Sequence, residues 1–360
     1  MSKQLSLSLL AIILFTGVAC RNNIVDPPPL KDMRNLTWTI DTLAYPGSYQ
    51  TLMTRMWGSS AKDVYVVGHN DQNRGQMYHY DGINWKPVKL AVSEGGNIVG
   101  ATDLSDIYGF GTNNIYAVGE ELYWDPIAQK LTDSSLIIQY DGAKWEKISV
   151  NRNRYLQTIW GSSPNNIWSG GWYDAIYRYN GISWRQDSVP MLKSPERFWQ
   201  VNSIGGNGNG ELFAMGSSKI TTSADEILYC MVYDNGFWKV IDTFLNNGLT
   251  VHRWGSSKVW GRSDGKIFSV GLGVFEYESG MWIKLFSSDT YLSGIAGNSS
   301  DLFVCGDLGK IYHYNGKDWH LFEQFHFPNI VYTDTWTDGK DVFVVGHIAG
   351  GYKTLIFHGK

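Results

Sequence analysis

The stretch YDGINW, Tyr80 to Trp85, is the first of six copies of one pattern. It returns as YDGAKW (140–145), YNGISW (179–184), YDNGFW (233–238), YESGMW (277–282) and YNGKDW (314–319). Each time Tyr stands five places before Trp, with Gly between them. A seventh, incomplete copy, FHGK (357–360), has no tryptophan after it. An aromatic, a tight polar turn and a second aromatic read as a β-hairpin. A hairpin cannot bury two faces of aromatics alone, so its recurrence requires an array in which each copy packs on the next.

A second motif precedes each hairpin. MWGSSAKDVYVVG (56–68), IYGFGTNNIYAVG (107–119), IWGSSPNNIWSGG (159–171), VWGRSDGKIFSVG (259–271) and IAGNSSDLFVCG (295–306) share an apolar entry, a small residue, a polar turn and a strand ending in Gly. SIGGNGNGELFAMG (203–216) and TWTDGKDVFVVG (335–346) are looser copies. In the fifth unit HRWGSS (252–257) competes with Trp260, and the spacing to the next strand selects Trp260. The closing glycines Gly68, Gly119, Gly171, Gly216, Gly271, Gly306 and Gly346 mark seven units, with a mean period of about 46 residues, which suits propeller blades.

Each unit reads as four short strands: a ending at Trp-Gly, b of the DVYVVG type, c of the QMYHYDG type, and d beginning at the repeated Trp. The predicted fold is an all-β, seven-bladed β-propeller of four-stranded antiparallel blades. The seventh unit lacks a d strand, whereas NLTWTIDTL (35–43) precedes the first unit without an a, b or c of its own. That segment is expected to complete the last blade, with Trp38 as the seventh tryptophan. Over residues 35–360 the chain resembles the bacterial exported and lipoprotein propeller-repeat proteins that carry WGSSxxDVYxVG and YDGxxW units, which implies an exported propeller.

Charged residues make up 18% and aromatics 14% of the chain, with 40 Gly against 10 Pro, as many short strands and turns require. The net charge of −4 and the lack of any Lys/Arg block argue against a nucleic-acid partner. Residues 1–19, with Lys3 and an apolar run from Leu5 to Val18, read as a signal peptide too short to be a membrane span. Its small-small-Cys ending resembles a bacterial lipoprotein box, which implies lipidation of Cys20; Gly17 stands where such boxes usually carry Leu, and a plain secretory signal is the alternative. Residues 20–34, with the prolines of RNNIVDPPPLKD, are then a lipid-anchored tether. The expected location is a bacterial, outer-membrane-anchored envelope protein, on either side of that membrane. Cys230 and Cys305 fall in separate, non-neighbouring units and are read as buried free thiols.

Function is sought away from the repeats. Trp57, Trp85, Trp160 and Trp184 are assigned to the packing between blades. The a–b and c–d turns are short and uniform, and GGNGNG (205–210) is one of them rather than a nucleotide cradle. The b–c and d–a connections vary widely and share one face of the disc, where binding is expected. That face carries Tyr123, Trp124, Arg152, Arg154, Tyr155, Trp172, Tyr173, Arg197, Phe198 and Trp199, from units two to four. The ligand-binding set is Tyr123, Trp124, Arg154, Tyr155, Trp172, Tyr173, Arg197 and Trp199, for a glycan or a protein. His69 and His347 occupy equivalent places in adjoining blades, too far apart for one ion, and His79 and His313 are read as surface residues. Glu94, Asp103, Asp106, Asp125, Glu196 and Asp334 are the carboxylates assigned to the same face, and no spacing among them singles out a catalytic pair. No metal, cofactor or catalytic residue is assigned. The expectation is a monomeric, non-catalytic binding propeller; an exported carbohydrate-active enzyme, or a structural part of an outer-membrane complex, is the alternative.

Overall fold

The computed structural model describes residues 32–127, 129–150, 154–173, 175–187, 189, 197–220, 226–247 and 252–360. The expected signal peptide, Cys20, Arg152 and Glu196 lie outside them. Met33–Lys360 forms one compact unit of seven four-stranded sheets, all of their strand pairs antiparallel. Blade 1 holds β2 (Thr51–Ser60), β3 (Asp63–Asn70), β4 (Met77–Tyr80) and β5 (Trp85–Pro87); blade 2 holds β6 (Ala101–Gly109), β7 (Ile115–Asp125), β8 (Lys130–Tyr140) and β9 (Trp145–Ile148). Blade 3 comprises β10 (Leu156–Ser163), β11 (Asn166–Gly171), β12 (Ile176–Tyr179) and β13 (Trp184–Asp187). Blade 4 comprises β14 (Arg197–Gly206), β15 (Leu212–Ile220), β16 (Glu226–Asp234) and β17 (Phe237–Asn246). Blade 5 is β18 (Lys258–Gly261), β19 (Ile267–Gly271), β20 (Gly273–Glu278) and β21 (Met281–Phe286); blade 6 is β22 (Leu292–Gly297), β23 (Leu302–Gly306), β24 (Lys310–Tyr314) and β25 (Trp319–Leu321). Blade 7 is β26 (Ile330–Thr337), β27 (Val342–Ile348), β28 (Thr354–Gly359) and, outermost, β1 (Trp38–Leu43). The inner strands touch in succession from β2 to β26, and β26 touches β2, so the ring is closed.

The closure follows the sequence expectation, with one difference. β1 pairs antiparallel with β28, Trp38 opposite Gly359 and Leu43 opposite Thr354. Thr37 and Lys360 exchange two further backbone hydrogen bonds at 3.0 and 2.9 Å. Phe357–Gly359 is thus the end of a strand and not a turn. Gly359 takes the place that blade 6 gives to Tyr314, opposite Trp319, and a Cβ there would lie 2.9 Å from the Trp38 indole. Trp38 instead stacks edge-on against Phe322 and Phe325, 5.4 and 4.9 Å between ring centres. Met33 and Leu36 are buried in the same cluster, so packing begins just upstream of β1.

The hairpin repeat has a local physical cause. In all six complete copies the Tyr and Trp are direct cross-strand neighbours with ring centres 4.9 to 5.5 Å apart: Tyr80–Trp85, Tyr140–Trp145, Tyr179–Trp184, Tyr233–Trp238, Tyr277–Trp282 and Tyr314–Trp319. Such pairs contribute about 0.5–1.5 kcal/mol beyond area burial. In four of the copies the Asp or Asn side-chain oxygen caps the turn: Asp81 accepts from the N–H groups of Ile83 and Asn84 at 3.0 and 2.8 Å. Gly82 follows at φ 89°, a conformation that glycine adopts without strain.

The Trp-Gly pair of strand a works between blades. A Cβ on Gly58 would sit 3.0 Å from Trp336 of blade 7, one on Gly109 2.6 Å from Trp57 of blade 1, and one on Gly206 3.1 Å from Trp160 of blade 3. Each tryptophan lies on the next blade's glycine, which is why the motif keeps both. These indoles do more than fill the interblade cores: Trp57, Trp160, Trp260 and Trp336 also edge a narrow axial cavity of about 110 Å³.

Six of the seven inner strands carry a bulge at the same register, next to Thr54, Ser105, Gln157, Asn202, Ser293 and Thr333. In four of these strands the side chain of the following residue accepts a backbone N–H of the next blade. Asp106 accepts the Ile159 N–H at 2.9 Å, Thr158 that of Ile204 at 3.2 Å, Ser203 that of Val259 at 3.0 Å and Asp334 that of Met56 at 3.2 Å. Lys258 reaches past blade 6 to pair with Asp334, which is 1% exposed. Asp106 and Asp334 therefore belong to this inner girdle, not to the loop face on which the sequence reading placed them.

Of the two histidines read as surface residues, His313 is buried, whereas the His79 side chain stays 31% exposed. His79 bonds Asp63 at 2.7 Å and stacks on Tyr65, while His313, 1% exposed, bonds Asp301 at 2.7 Å and stacks on Phe303. His358 repeats the arrangement with Asp341 and Phe343. The Asp that opens strand b accounts for all three. Cys230 and Cys305 are free and buried, and burial pushes the Cys230 thiol up to about 12, which makes it a poor nucleophile.

Candidate ligand-binding site

Blade 3 is low on the loop face and its neighbours are tall. β11 ends at Gly171 and β12 begins at Ile176, whereas β7 and β8 of blade 2 run on to Asp125 and back from Lys130. Six residues beyond Gly119, at about 3.3 Å each, lift the hairpin tip roughly 20 Å above the disc. Blade 4 is extended too, β15 reaching Ile220, four residues beyond its closing Gly216.

The strand register assigns the hairpin's faces. Tyr116, Val118 and Ile137 pack toward blade 3, and alternation places Glu120, Leu122, Trp124, Leu131 and Asp133 on that same side. Trp124 is 58% and Leu131 64% exposed. Below them lies a cleft of about 370 Å³ lined by Lys130–Asp133, Arg154, Tyr155, Trp172 and Tyr173.

The cleft floor is an aromatic cluster. Trp172 is edge-on to Tyr155 at 4.8 Å and to Phe198 at 5.1 Å, and Phe198 is edge-on to Tyr173 at 5.2 Å. The Arg154 guanidinium lies 4.8 Å from the Tyr173 ring centre, a cation–π contact. Tyr173 has φ 58°, unusual for an aromatic residue, and is held there by its N–H, which donates to the Trp199 carbonyl at 2.7 Å. Such strain persists where surrounding contacts impose it, often at binding sites. Tyr155 also accepts a 2.7 Å hydrogen bond from Ser105, and burial raises its phenol above the usual range.

Of the eight residues assigned from sequence, four (Arg154, Tyr155, Trp172 and Tyr173) converge in one cleft, and Trp124 stands above it. Tyr123 lies in β7 opposite Thr132 and Arg197 begins β14; only their backbone positions are described. Trp199 departs from the expectation of a solvent-directed side chain. It is 4% exposed and packs with Trp168, Ile176 and Val189 between blades 3 and 4, because strand alternation turns it toward the neighbouring blade. Asp125 is in the hairpin turn, accepting the Ile127 N–H. Glu94 is tied to Tyr45 at 2.9 Å and to the Ala91 N–H.

The sequence reading missed Glu120 and Asp133, which the hairpin brings together above Asp103. Glu120 is pushed up to about 7 by burial and by the negative charges of Asp133 and Asp103. Alternation along the b–c connection would have found them, had it been read as strand rather than loop. The His347 imidazole is lowered by burial and by His69, against a raising effect of Asp307. Among the described residues no group of three or more His, Cys, Asp or Glu is placed to hold a metal, and none of their helices is long and apolar enough to cross a membrane.

The bulged residues open a second cavity on the axis. This mouth, about 580 Å³, is ringed by Thr54, Ser105, Gln157, Asn202, Ser257, Ser293 and Thr333, one from each blade. Tyr155 lines both the mouth and the cleft.

No family model matches the chain, and a search of characterised proteins returned no match. Solved structures with the same architecture include YCF48 bound to a D1 peptide (TM-score 0.56, 13% identity, 89% of this chain and 96% of that one). Another is YCF48 from Cyanidioschyzon merolae (TM-score 0.56, 12% identity, 89% and 98%). At that identity the likeness is one of fold, a seven-bladed β-propeller.

Proposed function

We propose that this protein is a non-catalytic recognition propeller, held at a bacterial membrane by a lipid on Cys20, that binds an extended polypeptide segment in the cleft over blade 3. One observation carries the choice of polypeptide. From Lys130 to Asp133 no strand of the described residues lies along the outer edge of β8, because β9 pairs only with Ile137–Tyr140. A free strand edge recognises peptide backbone by adding a strand, and side chains of alternate residues then enter the adjoining pocket. Here that pocket has Leu131 and Trp124 on one wall and Trp172 and Tyr173 as its floor. The existence of a propeller of this fold bound to a peptide supports the same reading.

The rigid aromatics supply contact area at little cost in side-chain entropy. Arg154, held against Tyr173, adds a fixed positive charge at the rim. Glu120 adds an acceptor whose charge depends on pH near neutrality, and Asp133 adds a second carboxylate beside it.

The test is selection of a random-peptide phage library against the full chain, with binders remeasured by fluorescence anisotropy. Trp124→Ala and Trp172→Ala are each expected to weaken binding by about tenfold or more. N-methylation of alternate backbone amides in a selected peptide should abolish binding in one register only. Binders insensitive to both substitutions and to N-methylation would overturn the cleft. For the anchor, Cys20→Ser is expected to remove metabolic fatty-acid label; retained label would overturn it.

A further inference from the structure

We propose that the mouth of the axial channel is a second binding site, separate from the cleft, for a small polyhydroxylated carboxylate of the hexuronate type. Its volume of about 580 Å³ lies within the range of small-molecule sites, which are roughly 300–1,000 Å³. Its lining is unlike that of an apolar ligand pocket. Thr, Ser, Asn and Gln supply ten of its eighteen residues, and Leu104 and Leu228 are the only aliphatic ones. Hydroxyls and carboxamides both donate and accept, so they match a ligand that presents hydroxyl groups on every side. The carboxylates of Asp103 and Glu226, also in the lining, serve as acceptors for ligand hydroxyls.

Arg55 at the base supplies the anionic half of the specificity. It lines both the mouth and the narrow cavity beneath it, as do Asn202 and Ser257, so it sits at the waist of the channel. Its Nη1 donates to the backbone carbonyls of Thr54 and Thr333 at 3.0 and 3.1 Å. Of the nearby carboxylates, Asp334 pairs with Lys258 and accepts the Met56 N–H, and buried Asp106 feels the Arg55 charge while accepting hydrogen bonds from the N–H groups of Ile159 and Ile107. Among the described residues no carboxylate comes within ion-pair distance of Arg55, and none offers an acceptor to its Nε or Nη2. A guanidinium held through Nη1 and lining a polar cavity is set to take a carboxylate. Below the waist the channel narrows to about 110 Å³ between Trp57, Trp160, Trp260 and Trp336, so the ligand stops at Arg55.

Isothermal titration of the full chain with D-glucuronate, D-galacturonate, D-glucose and acetate tests this. One or both uronates should bind with a sub-millimolar Kd, and glucose and acetate at least about tenfold more weakly, because each lacks half of the recognised groups. Arg55→Gln should lower uronate affinity by at least about tenfold and leave glucose unchanged. Arg55 ties blade 1 to blade 7, so Asn202→Leu provides an independent variant that fills the waist while keeping the charge; it should abolish uronate binding. Trp124→Ala should leave uronate binding intact. The proposal is overturned if neither uronate binds up to about 10 mM, if folded Arg55→Gln or Asn202→Leu binds as wild type, or if Trp124→Ala removes the signal.

Discussion

Glu120 makes the electrostatics of the loop face measurable through stability. Asp103 stands directly opposite it on β6, and Asp133 lies on the same side of β8. Burial and these two charges raise its carboxyl from 4.5 to about 7. Fully expressed, that displacement corresponds to about 3 kcal/mol. The side chain is only partly buried and water screens its neighbours, so about 1–2 kcal/mol reaches the folding equilibrium. Between pH 4.5 and 7 the folded chain holds a proton that the unfolded chain has released, and stability contributed by this group falls as pH rises through that window. Glu120→Gln removes the cost. Urea unfolding followed by tryptophan fluorescence should show the variant about 1–2 kcal/mol more stable than wild type at pH 8, with the difference vanishing toward pH 4.5. Asp133→Asn should reproduce part of the gain, and the double variant should fall short of the sum, because the two act on one charge cluster. A difference independent of pH, or a less stable variant at pH 8, would refute the reasoning.

Three further outcomes follow from the packing. Gly109→Ala drives a Cβ to 2.6 Å from the Trp57 ring and should cost about 1–3 kcal/mol in chemical denaturation, whereas Gly208→Ala, with nothing within 4 Å, should be neutral. Trp38→Ala removes two edge-on contacts at the ring closure and should cost about 3 kcal/mol; a loss under about 1 kcal/mol would mean the closure is carried by the backbone pairing alone. Tyr173→Gly relieves a positive φ but loses the Phe198 contact, so the melting temperature should move by less than about 4 °C while peptide affinity falls.

The repeat alone determined the blade count, the order of strands within each blade and the role of Trp38. These depend on local rules: a period of two along strands, Asp/Asn-Gly at hairpin turns and a fixed distance between matching motifs. Trp124, Arg154, Tyr155, Trp172 and Tyr173 were legible for a similar reason, since irregular connections on a regular scaffold stand out in one dimension. Tertiary structure alone decided which of those residues meet. Trp199 looked like a loop aromatic until its strand was seen to run one turn of the pleat further and bury it, and Glu120 and Asp133 became neighbours only because a connection folded as a hairpin. Asp106, Asp334, Lys258 and Arg55 lie scattered along the sequence, and only closing the ring sets them around one axis. Local spacing specifies a blade; the distances between residues from different blades are fixed by the packing of seven of them, and no short stretch of sequence contains that information.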